Sequence, residues 1–248
     1  MRNDSVRLRI CFDKHGKIRF TSHRDVARIW ERTLRRARLP VEYSEGFSPR
    51  PRLSFGLALS TGHESNAEYL DVELDPSRLT VDIEELADEL TAHLPVGMTV
   101  RELRMIDRTT PSLQQAVTSC TWQIDVADTD ADTVTRAVAH ALAADTLIVT
   151  RERKGKQVTD DLRPLVLGID VIGPIEVEHR TDSGTVRLIA ELGTQPRAVR
   201  VSELLAALDP PLEERRVQRL HQWIMNDEHG RRGDPLRAAV PLTPVVAT

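Results

Sequence analysis

The segment between Ser22 and Pro40 leaves this chain little freedom, because one end is a helix start and the other a helix stop. Ser22 stands three positions ahead of Asp25 and directly before an apolar-periodic run, the pattern of an N-cap whose acidic partner reaches back to it. Pro40 cannot continue a helix and pushes Leu39 toward extended backbone. Between these ends Val26, Ile29, Trp30, Thr33, Leu34 and Ala37 recur at three-and-four spacing, which gathers them on the face that meets a core. With about 3.6 residues per turn, Arg24, Arg28, Arg32 and Arg35 fall together on the opposite face, with Arg36 and Arg38 at its edges. Such a face suits phosphate binding, and it equally suits a solvated exterior in which Glu31 pairs with Arg35.

The loop that follows adds to the first reading. Gly46-Phe47-Ser48-Pro49-Arg50-Pro51-Arg52 sets two arginines and one aromatic on a backbone stiffened by two prolines. Arg50 and Arg52 beside Phe47 fit phosphate contacts with a stacked base. The other reading makes Phe47 a plug in the core and the prolines mere turn formers.

Around this segment the patterns alternate between strand and helix. Residues 6–12 and 17–21 read as strands that bend or turn at His15-Gly16, 52–59 as another strand, and 60–67 as a turn. Residues 68–74 alternate strictly, with Tyr69, Val72 and Leu74 as inward candidates. Residues 81–94 give a second amphipathic helix closed by Pro95-Val96-Gly97, and 99–106 a further strand. The order βαββαβ is that of a ferredoxin-like unit, two helices on a four-stranded antiparallel sheet.

A polar stretch with Pro111 then suggests a boundary. Beyond it a similar order is expected: a strand over 121–126, a helix over 132–144 and a hairpin flanking Lys154-Gly155. Strands over 165–172 and 186–192 and a helix over 201–208 capped by Ser202 follow. The expected fold is therefore α+β, two tandem ferredoxin-like units with antiparallel sheets. The expected domains are residues 1–107, a linker over 108–118, residues 119–212, and a last helix over 213–225 with a frayed tail to 248.

Charge is distributed unevenly behind a net value of −4. Residues 1–62 hold 14 Arg and Lys against 6 Asp and Glu, whereas residues 63–145 hold 5 against 17. A basic first quarter beside an acidic second implies an anionic ligand on one side and a solubilising or protein-facing surface on the other. Only 4 of the basic residues are lysine, which leaves few candidates for lysine-centred chemistry. Two cysteines, Cys11 and Cys120, are too few for a disulfide framework or a metal cluster and read as buried thiols. No apolar run is long enough for a membrane span, and the opening residues lack a signal core, so a cytoplasmic protein without a membrane partner is expected. No metal and no cofactor is expected either.

His23 is the one histidine in the basic helix. At the helix start, beside arginines, an imidazole could act as general base toward a ribose 2′-hydroxyl while guanidinium groups stabilise charge on phosphate. The bland reading is a packed or hydrogen-bonded first-turn residue. The turn Arg151-Glu152-Arg153-Lys154-Gly155-Lys156, followed by Asp160-Asp161-Leu162-Arg163-Pro164, offers a second basic patch through Lys154, Lys156 and Arg163. Neither a P-loop, nor G-x-G-x-x-G, H-E-x-x-H or G-x-S-x-G occurs.

The motifs Ser22-His23-Asp25, Arg35-Arg36, Leu39-Pro40 and Gly46-Phe47-Ser48-Pro49, with the later run RKGKQVTDDLRPLV, resemble the radical-SAM-linked (radical-SAM-associated) protein family. That family is a domain of unknown function, found alone or at the C-terminal end of cobalamin-binding-type radical SAM proteins, and the resemblance covers roughly residues 6–210. It implies a radical SAM enzyme as partner. The chain lacks the C-x-x-x-C-x-x-C motif that holds the iron–sulfur centre, so it would be the partner and not the engine. The layout is also similar to that of tandem ferredoxin-like CRISPR-repeat endoribonucleases, although their glycine-rich C-terminal loop is not evident. The expected function is a non-catalytic, RNA-binding accessory module in which Arg24, Arg28, Arg32, Arg35, Arg50 and Arg52 hold phosphates and Phe47 stacks a base. The alternatives are a metal-independent endoribonuclease using His23 and a protein–protein adaptor.

Overall fold

A computed structural model describes residues 6–79, 83–153, 155–176, 184–226 and 231–240. The chain divides into two compact units, Met1–Val117 with Trp223–Thr248, and Thr118–Gln222. The whole is mixed α+β with mostly antiparallel strands and few helices.

In the first unit β1 (Val6–Lys14), α1 (His23–Arg36), β2 (Leu53–Phe55), β3 (Glu64–Leu74), α2 (Ile83–His93) and β4 (Met98–Ile106) follow in order. The strands lie side by side as β4-β1-β3, with β2 on β3, and β1 is antiparallel to both β3 and β4. Leu8, Ile10 and Phe12 of β1 point to the same face as Leu70, Val72 and Leu74 of β3. There they meet Val26, Trp30 and Leu34 of α1 and Leu86 and Leu90 of α2, with Phe12 and Trp30 edge to face at 4.9 Å.

The other face of this sheet is covered as well. The short helix α3 (Leu113–Ala116) and the segment through Leu236 lie over Cys11 and Tyr69. Arg9, at 0 % exposure, forms a bidentate pair with Asp71 at 2.7 and 2.9 Å and donates to the carbonyl of Pro235 at 3.0 Å. Asp107 N–H donates to Val240 and Tyr69 donates to Asp234, tying the returning chain down. Tyr69 therefore belongs to this second face, not to the helix-side core with Val72 and Leu74, because strict alternation puts residue 69 opposite residues 70 and 72.

The second unit runs β5 (Val117–Ala127), α4 (Ala131–Ala143), β6 (Ile148–Arg153), β7 (Lys156–Asp161), β8 (Val166–Ile175), β9 (Thr185–Gly193), α5 (Val201–Ala207) and β10 (Glu213–Asn226), which carries the chain back to the first unit. Its sheet order is β10-β5-β9-β8, while β6 and β7 form a separate hairpin. The strand β11 (Arg231–Gly233) pairs with the end of β10.

Several expected elements differ. Residues 16–20 form a 3-10 turn and not a strand, since Gly16 takes φ of 67° and its N–H is held by the Glu64 carboxylate at 2.9 Å. The strand expected over 52–59 shrinks to Leu53–Phe55, and β3 begins at Glu64 inside the expected turn. The expected last helix is the strand β10: Val217, Arg219 and Gln222 are buried, and Arg219 lies over the Trp122 ring at 5.3 Å, so polar residues occupy inward positions and hide the alternation. Glu203, not Ser202, caps α5 by accepting from the Arg200 N–H at 3.3 Å. The tail is anchored as far as 240, with Leu236 and Ala239 buried.

Candidate nucleic-acid interface

The helix α1 forms as its end signals require. Asp25 N–H donates to Ser22 Oγ at 3.2 Å, and the Ser22 hydroxyl donates to the Asp25 carboxylate at 2.8 Å. That hydrogen bond, with help from Arg28, holds the Asp25 carboxyl below its ordinary range. At the other end Arg38 N–H donates to Arg35 O and Leu39 N–H to Leu34 O, a Schellman closure with Leu34 and Leu39 both in the core. The left-handed residue of that closure, usually glycine, is Arg38 at φ of 53°.

Along the outer face Arg24, Arg28, Arg32, Arg35, Arg36 and Arg38 are all exposed. Arg28 pairs with Asp25 at 3.1 Å, an exposed contact of little energetic weight. Arg24, Arg32, Arg35, Arg36 and Arg38 make no ion pair among the described residues, and no Glu31 to Arg35 bridge forms. The face is solvated, and the bridge from Glu31 that would have lowered its charge is absent. Arg32 and Arg36 also line a cleft of about 400 Å³ between α1 and the end of α2, with Ile29, Thr33, Ala92, His93, Leu94 and Pro95.

The Arg/Pro loop is a closed finger. Ser44 N–H donates to Arg50 O at 2.8 Å, Arg50 N–H donates to Ser44 Oγ at 3.0 Å, and Tyr43 bridges Pro51 below them. Phe47 stands at the tip with its ring fully in solvent, which removes the core-plug reading. Arg50 is exposed and without an ion pair among the described residues. Arg52 is different: Glu73 holds its guanidinium at 3.1 Å.

His23 is exposed in the first turn of α1, its ring edge-to-face with Phe55 at 5.2 Å. It lines a crevice of about 20 Å³, room for little more than a water, with Lys14, Glu68 and Tyr69 among its neighbours. Lys14 is buried there, donating to the carbonyls of Arg19 and Thr21 and so tying the 3-10 turn to the start of α1. Lys14 and Glu68 escaped sequence reasoning; the alternation over 68–74 was the signal, because it sets Glu68 on the same face as Leu70, Val72 and Leu74, the helix side.

The second basic patch disperses. Arg151 is neutralised by Asp160 at 2.8 Å, and Asp160, pulled below its ordinary range chiefly by that bond, also holds Arg197 at 3.0 Å. Arg163 donates to the carbonyls of Leu142 and Val166 and serves the fold. Lys156 is exposed on β7, and Lys154 lies outside the described residues. Among the described residues no group of histidine, cysteine and acidic side chains could hold a metal ion, and no helix is long and apolar enough to cross a membrane.

A family model described as an uncharacterized protein conserved in bacteria, DUF2344, matches residues 7–197. No curated protein matches the chain.

Proposed function

We propose that this chain, which belongs to the uncharacterized DUF2344 family conserved in bacteria, is a non-catalytic RNA-binding module that serves a radical SAM enzyme. The observation that carries the RNA half is the outer face of α1, where Arg24, Arg32, Arg35, Arg36 and Arg38 stay exposed and unpaired among the described residues of a protein whose net charge is −4. Guanidinium forks left open in this way match phosphate oxygens, and the solvent-facing ring of Phe47 offers a stacking surface for a base. Arg50 adds a free cation on the finger that carries Phe47, while Arg28 and Arg52 contribute after exchanging their carboxylate partners. The resemblance of the Ser22-His23-Asp25 and Gly46-Phe47-Ser48-Pro49 motifs to radical-SAM-linked proteins supports the second half.

The strand orders β4-β1-β3 with β2 beyond, and β10-β5-β9-β8, support a ferredoxin-like plan in each unit. In the first unit the sheet face away from the helices is occupied by residues around Leu113 and Leu236, so RNA is assigned to the helix side and the finger.

Filter binding of single-stranded RNA at low salt tests the proposal. The expected outcome is binding that Arg32→Ala with Arg35→Ala weakens at least tenfold while the thermal midpoint stays put; equal binding by the variant rejects it.

A second reading, metal-independent RNA cleavage, has His23 in its favour: an exposed imidazole without a hydrogen bond among the described residues, beside the crevice lined by Lys14 and Glu68. Incubation of labelled RNA in EDTA decides it, since 2′,3′-cyclic phosphate ends that vanish with His23→Ala would establish cleavage, and intact RNA would exclude it.

A further inference from the structure

We infer that the cleft between α1 and the end of α2 seats one nucleotide of the bound RNA strand, its phosphate on Arg32 and Arg36 and its base against Ile29, Leu94 and Pro95. The inference rests on the RNA reading and gives it a defined subsite.

Arg32 and Arg36 are one helical turn apart, so their side chains rise from neighbouring points on α1 and can reach a single phosphate together. Both line the cleft, and neither has an ion pair among the described residues. A volume of about 400 Å³ falls in the range of small-ligand sites and far exceeds what an inorganic phosphate would fill. The remaining wall is mixed: Ile29, Leu94 and Pro95 are apolar, and His93 brings a half-buried imidazole.

The two arginines, set between helix ends, fix the direction in which a nucleotide would lie. Carbonyls at a helix C-terminus carry partial negative charge, which repels phosphate and leaves a base or sugar acceptable. One of these carbonyls, that of His93, is already engaged by the Thr33 hydroxyl at 3.3 Å, which joins the two walls. Both helices end at the cleft, α1 at Arg36 and α2 at His93, and only the α1 end carries guanidinium groups that offset this repulsion, so the phosphate belongs under Arg32 and Arg36 and the base against Ile29, Leu94 and Pro95. Arg24 and Arg35, on the outer face and away from the cleft lining, are left for the phosphates that precede and follow.

Titration of the full chain with AMP, adenosine and inorganic phosphate, followed by backbone amide NMR, tests this. AMP is expected to shift the amides of Ala92, His93 and Leu94, with adenosine and phosphate each at least tenfold weaker. Arg36→Ala is expected to lower AMP affinity at least tenfold, and Arg36→Lys to recover part of it, since the charge returns without the fork. A short RNA should displace AMP. Absence of AMP shifts at these amides, with RNA still bound in a salt-dependent way, overturns the cleft and leaves the RNA reading standing. AMP binding in the cleft without any RNA binding overturns the RNA reading and leaves a free mononucleotide as the ligand.

Discussion

Arg9 and Arg32 sit in the same compact unit and meet opposite fates. Arg9 is at 0 % exposure, with both terminal nitrogens and Nε engaged by Asp71 and by the carbonyls of Pro235 and Pro111. Arg32 is in solvent with no ion pair among the described residues. The first is built into the second face of the sheet, where it joins three distant stretches of chain; the second contributes nothing visible to the fold. Arginine content therefore says little about function until each guanidinium has been followed to its partners. On that criterion Arg9, Arg163 and Arg187, which pairs with the buried Asp125 at 2.6 Å, are architecture, Arg28 and Arg52 are lightly engaged, and the outer face of α1 is left open.

The contrast can be broken most forcefully at Arg9. Arg9→Ala leaves Asp71 buried without its partner, and a loss of about 3–5 kcal/mol in urea unfolding is expected. A loss below about 1 kcal/mol would show that the second face does not hold the unit together.

Alkaline pH probes the same face. Burial pushes the Cys11 thiol up from 9.0 to about 12, with nearby Asp234, Glu68 and Glu102 adding to the shift and the Tyr69 hydrogen bond opposing it. Burial raises Tyr69 as well. Both groups keep their protons in the folded state at pH values where the unfolded chain releases them. Their stabilisation is complete below about pH 9 and is lost as pH rises toward 12. The unfolding free energy from urea titration should fall between pH 9 and 11 by up to about 1.4 kcal/mol per pH unit for Cys11, and Cys11→Ala should remove that share of the fall while the share of Tyr69 stays. An unfolding free energy flat over this range would contradict the burial of the pair.

Arg38 sharpens the comparison, because here an exposed arginine is carried at a cost. An L-residue in the left-handed region is strained by about 1 kcal/mol, so Arg38→Gly is expected to raise stability by that amount and to weaken RNA binding. Higher stability with unchanged binding would make Arg38 a bystander. Smallest of all is Arg52→Ala, whose exposed bridge to Glu73 should change stability by less than about 1 kcal/mol by thermal melt.

The sequence carries these two classes of arginine with different clarity. The cap, the apolar spacing and Pro40 are local signals, and α1 appears where they put it, from His23 to Arg36. The strand β1, the 68–74 part of β3 and the hairpin β6-β7 about Lys154-Gly155 are legible in local pattern. What stayed hidden depends on contacts between distant residues. Arg9 and Asp71 are 62 positions apart, and nothing near either announces the pair. In β10 the buried Arg219 and Gln222 replace the apolar residues that alternation needs, so the remaining Val217, Leu220 and Ile224 imitate a helical period. The cleft escaped for a similar reason, since its second wall comes from the far end of α2. The open arginines of α1 and the finger bearing Phe47 were within reach because each is a property of one short segment.

The most direct test of the open-arginine account is the salt dependence of RNA binding by the full chain, compared with Arg32→Ala, Arg35→Ala and Arg36→Ala combined. For single strands each phosphate contact contributes about 0.7 to the slope of log affinity against log salt, and with Arg32 and Arg36 sharing one phosphate and Arg35 holding another the variant should lose about 1.4 from the slope. A slope of zero in the parent protein, or the same slope in both, would contradict it.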